Sequence, residues 1–170
     1  MVGMTISVPW NAAWSAEESY EIRPCRYASG CPALWSPHRP GVGKPIFARP
    51  HMVRQRRSIA EWRCTVCGEK TAPNDRWWFR LGDFRDGWFM TTEAPVHHAC
   101  ARHALKVCPH LRGREHDLEP MPGGFYILKS MIGGPVSERD FGLNFPPQGV
   151  VGHLKIAWPE NRACWSNRHG

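Results

Sequence analysis

Cys64-Thr65-Val66-Cys67-Gly68 sets two thiols two residues apart ahead of a glycine, a spacing that suits a metal ion. Two intervening residues let both sulfurs reach one ion from a tight turn, and Gly68 permits the left-handed or closely approached backbone that the turn needs. A redox pair of the thioredoxin type has the same spacing but wants a helix directly after it. Here Glu69-Lys70-Thr71-Ala72-Pro73-Asn74-Asp75 follows, which reads as loop. The second half of a site lies further along. Cys100 stands three residues after His97 and three before His103, and residues three apart share a helical face. His97, in the first turn of the expected helix, is preferred as ligand. His103 is the alternative, although its place on an apolar stripe suits a core histidine, and His98 comes third. The expected set is Cys64, Cys67, His97 and Cys100 around one Zn2+. Four protein ligands leave no position for water, so the ion would be structural rather than catalytic.

Three elements must position these ligands. Arg76-Trp77-Trp78-Phe79-Arg80-Leu81 and Gly87-Trp88-Phe89-Met90-Thr91-Thr92 are aromatic and β-prone, and Gly82-Asp83-Phe84-Arg85-Asp86 between them reads as the loop of a β-hairpin. Pro95 then opens a helix. Val96, Ala99, Cys100, His103, Ala104 and Val107 recur at helical spacing as one apolar stripe, and Cys108-Pro109 ends it. Knuckle, hairpin and ligand-bearing helix, in that order, resemble a treble-clef zinc finger.

From Trp62 to Leu111 the chain also resembles a motif set in small, uncharacterised bacteriophage and actinobacterial proteins. The residues that carry the resemblance are Cys64-x-x-Cys67-Gly68, the aromatic hairpin, Thr91-Thr92-Glu93-Ala94-Pro95-Val96-His97-x-x-Cys100-Ala101 and Cys108-Pro109-His110-Leu111. Those proteins carry Cys or His at the position of His97. The resemblance covers about a third of the chain. It implies a phage or prophage origin and a treble-clef-like zinc site, and no activity.

The 170 residues suit one small α+β domain. Its expected parts are a Pro/Arg-rich arm with a short helix at 1–62, the zinc unit at 63–112, and a strand-containing segment at 113–170 packed on the zinc unit. Within the arm, Thr5-Ile6-Ser7-Val8 is β-like, and Asn11 to Tyr20 could hold a helix capped by Asn11. Ser36 to Pro45 is punctuated by Pro and Gly and reads as an extended loop. Val150 to Trp158 alternates as a strand, and 161–170 read as a frayed tail. Sixteen prolines and sixteen glycines disfavour long helices. No charged leader with an apolar run opens the chain, and no stretch approaches the ~20 apolar residues of a membrane span, so a cytoplasmic protein is expected. Seven cysteines then read as ligands or buried thiols rather than disulfides. A second site from Cys25, Cys31, Cys108 and His110 is conceivable. The gap between Cys25 and Cys31 is not a usual knuckle, and buried free thiols are preferred.

A net charge of +7, from 22 Lys and Arg against 15 acids, favours anionic partners and nucleic acid first. Arg54, Arg56 and Arg57, with Lys44 and Arg63, form the most basic stretch and are the candidate phosphate contacts. Trp77, Trp78 and Trp88 could stack on unpaired bases. The expected function is therefore a zinc-stabilised, non-enzymatic nucleic-acid-binding or regulatory protein. The alternative is a protein-binding module engaging a host or phage protein through Trp and Arg hot spots and the Pro-rich arm. An HNH-type nuclease is the weakest reading. It needs a histidine on the hairpin, which has none, and nothing in the sequence ties His116 or Asp117 to the site.

Overall fold

In the computed structural model, which describes residues 8–159, one long strand organises everything else. Val150-Val151-Gly152-His153-Leu154-Lys155-Ile156-Ala157-Trp158-Pro159 is rich in β-branched and aromatic residues, and seven of its first nine are buried, as in a strand covered on both faces. This strand (β10) is paired along one edge with β9 (Tyr126–Ile132), antiparallel. Its other edge is shared. β3 (Pro32–Trp35) runs parallel at Val151, and β7 (Trp88–Thr91) runs antiparallel from Ile156 to Pro159. β2 (Glu21–Pro24) and β6 (Asp83–Arg85) extend the sheet outward from β3 and β7. Two small antiparallel sheets flank it. One joins β1 (Ala12–Trp14) to β4 (Pro45–Pro50), the other β5 (Trp77–Phe79) to β8 (Leu118–Pro120). The helices are α1 (Met52–Ala60), α2 (His98–Val107) and α3 (Gly134–Phe141).

The main core gathers Ile59 of α1 with Trp78, Phe89, Ala94, Leu154, Ile156 and Trp158. Trp158 is fully buried, and its ring meets Trp78 at 4.8 Å and Phe89 at 6.2 Å. Burying about 200 Å² of an aromatic side chain is worth on the order of 5 kcal/mol, so this ring anchors the sheet.

Between Val151 and Ile156 no strand covers the β3/β7 edge of β10, and side chains of α1 take that place. Gln55 accepts from the Leu154 N–H (3.0 Å) and donates to the carbonyls of Leu154 (2.8 Å) and Thr92 (2.7 Å). Arg56 donates to the carbonyls of Gly152 (2.7 Å) and Leu34 (2.5 Å), tying β10 to β3, and its Nε donates to the Cys25 sulfur (3.3 Å). A buried sheet edge would otherwise leave orphaned peptide groups, each costing about 1–3 kcal/mol.

Several sequence expectations change. The segment 11–20 forms β1 and a 3-10 turn (Ser15–Glu17) rather than a helix. The helix of this half is α1, on the run that reads as basic surface. Residues 36–44 form the expected extended loop, and the strands β3 and β4 bracket it. The aromatic hairpin also differs. Trp77–Phe79 pairs with Leu118–Pro120, and Trp88–Thr91 pairs with Asp83–Arg85 from the expected loop. Asp86-Gly87 makes the turn with φ of +51° and +77°, the left-handed pair that a two-residue hairpin favours. The Val150–Trp158 strand forms as expected. Thr5 to Ser7 and the 161–170 tail, with Cys164, lie outside the described residues.

Candidate metal centre

The knuckle is held by its own backbone and by the N-terminal segment. The Gly68 N–H donates to the Cys64 carbonyl and the Cys64 N–H to that of Glu69, both at 2.8 Å. Gly68 has φ +81°, and a Cβ there would lie 2.6 Å from the Trp10 indole, so both conformation and space demand glycine. Trp10 and Asn11 donate their N–H groups to the carbonyls of Val66 and Thr65, which clamps the turn from outside.

The opposing ligands sit at the start of α2. The helix begins at His98, not at Pro95. Pro95 is buried, and Val96 is drawn into a two-way backbone pairing with Trp77 (2.8 Å each way). That pairing leaves His97 as the N-cap, and the His98 N–H, a donor without an intrahelical acceptor, is taken by the Asp75 carboxylate at 2.9 Å. The expected apolar stripe is only partly buried. Val96 is buried, Cys100, His103 and Ala104 are half-buried, and Ala99 and Val107 face solvent, while Ala101, off that stripe, is fully enclosed.

Cys64, Cys67, His97 and Cys100 converge, with their potential ligand atoms all within 4.8 Å of one another. His97 Nδ1 lies 3.5 Å from the Cys67 sulfur and 3.8 Å from that of Cys100. Its Nε2 lies 3.1 Å from the Lys70 carbonyl oxygen. A carbonyl can only accept, so Nε2 carries the proton and Nδ1 turns its lone pair toward the sulfurs, the usual arrangement behind a metal-bound histidine. Burial, then the neighbouring Cys64 and Cys67, hold the Cys100 thiol far above its ordinary range, and burial raises Cys67 as well. Crowded thiols of this kind lack a counter-charge, which a bound cation supplies.

His97 is therefore the histidine that joins the cysteines, and His98 and His103 are outside the cluster. Among the described residues it is the one such group. Cys25, Cys31, Cys108 and His110 are not assembled, and Cys25 and Cys31 contact Arg56 and Lys129 respectively. His116 sits 3.6 Å from Asp117 on an exposed turn beyond α2, apart from the cluster.

The arginine run is displaced from the role its composition suggests. Arg54 and Arg56 are 2% and 0% exposed. Arg54 grips Glu17 through both guanidinium nitrogens (2.9 and 2.8 Å) and also donates to the Ala12 carbonyl. Burial pushes Glu17 up, but Arg54 and the N–H groups of Arg39 and Trp14 outweigh it and hold the carboxyl below its usual range. Arg57 and Arg63 are half-buried and share Glu61. Lys44 alone of the five stands exposed, its N–H donating to the Ser15 hydroxyl. Buried and paired guanidinium groups cannot reach a phosphate, so Arg54 and Arg56 are framework residues. The aromatic candidates change likewise. Trp78 is buried, Trp77 lies half-buried beneath His98 (4.4 Å), and Trp88 packs on Tyr126.

Comparison with family models, with curated proteins and with solved structures returns no match. No described helix is long and apolar enough to cross a membrane.

Proposed function

We propose that Cys64, Cys67, His97 and Cys100 hold one structural zinc ion, and that the chain is a zinc-stabilised, non-enzymatic binding protein acting on nucleic acid. One observation carries the metal: the spacing of the donors. A tetrahedral ion with Zn–S bonds of about 2.3 Å and a Zn–N bond of about 2.0 Å has S···N edges of about 3.5 Å and S···S edges near 3.8 Å. Both separations at His97 are S···N edges, and 3.5 Å to Cys67 and 3.8 Å to Cys100 place the imidazole nitrogen at the reach such an ion needs. Three thiolates and an imidazole suit zinc over harder ions, which prefer oxygen. With all four positions filled by protein, no site remains for an activated water, which argues against metal-assisted hydrolysis. The ion would fasten the knuckle to the first turn of α2 and orient that helix.

The positive net charge favours nucleic acid as the partner. The resemblance to phage and actinobacterial proteins adds a phage or prophage origin and a bacterial cytoplasm. A protein-binding role is the second reading. β9 favours it, with Tyr126 57% and Met131 53% exposed on a strand paired along one side only among the described residues.

Elemental analysis of the purified chain tests the metal. About one zinc per chain is expected, and cobalt substitution should bring the visible bands of a tetrahedral thiolate site. A metal-free chain whose fold ignores chelator would overturn the proposal.

A further inference from the structure

Of the two basic helices, α2 and not α1 leaves its positive charge free. From Ala94 to Arg114 the chain holds no acidic residue. His98, Arg102 and Lys106 follow each other at four-residue steps, are exposed, and so line one outward face of the helix. Each step advances about 6 Å along the axis. Arg112, just past the 3-10 turn that follows α2, is exposed as well.

Elsewhere several exposed arginines lean on carboxylates. Arg23 has Glu21, Arg49 has Glu18, Arg85 has Asp83 and Arg139 has Asp140. Among the described residues no carboxylate pairs with Arg102, Lys106 or Arg112. Like charges at four-residue spacing destabilise a helix slightly, by a few tenths of a kcal/mol per pair. A helix that carries them without local counter-ions is complementary to an external anion. The His98 ring rests on Trp77, and the metal cluster holds the first turn through Cys100, so the stripe is presented on a fixed element.

We propose that the outward face of α2, centred on Arg102 and Lys106 and continued by Arg112, binds the phosphate backbone of nucleic acid. This rests on the nucleic-acid reading above and names its surface. Nucleic acid fits better than an acidic protein because the stripe holds no aromatic or large apolar anchor of the kind that dominates protein interfaces, whereas phosphates need only spaced cations. The exposed positions 98, 99, 102 and 106 carry no Asn or Gln for reading adenine, and with Arg102 and Lys106 given to phosphates binding shows little sequence preference.

The test uses the full zinc-loaded chain and anisotropy titrations against a labelled DNA duplex, the RNA duplex of the same sequence and the single strands, each over a salt series. Arg102→Ala with Lys106→Ala should weaken binding at least about tenfold and lower the salt slope by about two, since each phosphate contact contributes about 0.9. Zinc content and melting temperature should stay unchanged, and Arg139→Ala on α3 should leave affinity alone. The tighter of the duplex arms identifies DNA or RNA as the source of the phosphates. Nucleic-acid binding with unchanged affinity and slope in the double variant overturns this surface while leaving the nucleic-acid reading intact. No binding in any arm overturns both. Displacement by polyglutamate as effective as by unlabelled duplex assigns the stripe to an acidic protein and overturns the proposal.

Discussion

Helices α1 and α2 carry similar cations to opposite ends. In α1, Arg54 and Arg56 point inward, meet Glu17 and the open edge of β10, and are lost to solvent. In α2, Arg102 and Lys106 point outward with no carboxylate near them in the sequence. The difference lies in what surrounds each helix. α1 covers a gap between β3 and β7 that offers bare carbonyls, and a guanidinium has five donors on a long stem with which to fill it. α2 buries only Ala101 fully, and its outward face, with Arg102 and Lys106, stays wet. Density of charge along a chain is therefore a poor guide to where charge is available.

The comparison can be broken in several places. Removing the metal should have the largest effect, because structural zinc contributes about 10–16 kcal/mol in small domains. Cys67→Ala is expected to abolish cooperative unfolding monitored by circular dichroism, and a soluble, cooperatively melting, zinc-free variant would show that α2 does not depend on the ion.

Next come the α1 arginines. Arg54→Ala leaves Glu17 buried with half its partners gone and should cost about 3–5 kcal/mol in denaturant titration. Arg56→Ala strips the carbonyls of Gly152 and Leu34 and should cost about 2–4 kcal/mol. A loss below about 1 kcal/mol for either would return that arginine to the surface.

His51 sharpens the contrast through pH. It caps α1, its Nδ1 accepting the Arg54 N–H (3.2 Å) and its Nε2 donating to the Pro37 carbonyl (2.9 Å), so the folded ring is neutral. Burial, then the charge of Arg54, lowers its pKa from 6.5 to about 4. The unfolded chain binds this proton more readily than the native one. The stabilisation is complete above pH ~6.5 and is lost as pH falls toward 4, amounting to about 3 kcal/mol. Histidine NMR titration should find His51 still neutral at pH 5, and a midpoint near 6.5 would contradict its burial. The smallest expected change in stability, within about 0.5 kcal/mol, belongs to Arg102→Ala on the exposed face of α2, whose effect is on binding alone.

Half of the site was legible as spacing. Cys64-x-x-Cys67-Gly68 is a local device, and its geometry needs nothing from the rest of the chain. The choice of His97 over His103 was legible too, through the first-turn argument, although the helix starts later than Pro95 suggests because Val96 is claimed by Trp77. The hairpin was misjudged despite a strong signal. Asp86-Gly87 is a preferred two-residue turn, but it straddles the boundary between the expected loop, Gly82 to Asp86, and the expected strand from Gly87. The free stripe of α2 also had a signal, the absence of acids from Ala94 to Arg114.

By itself the sequence determined the local chemistry: a Cys-x-x-Cys-Gly knuckle, a helix start bearing His97 and Cys100, and a long apolar strand at 150–158. These follow from short-range geometry, periodicity and side-chain type, which act within a few residues. Only the tertiary structure decided which of two basic segments keeps its charge. That outcome depends on partners 37 residues away for Arg54 and 96 away for Arg56, and on a gap in a sheet whose edges come from three distant parts of the chain. Burial of a cation is set by what the fold brings to meet it.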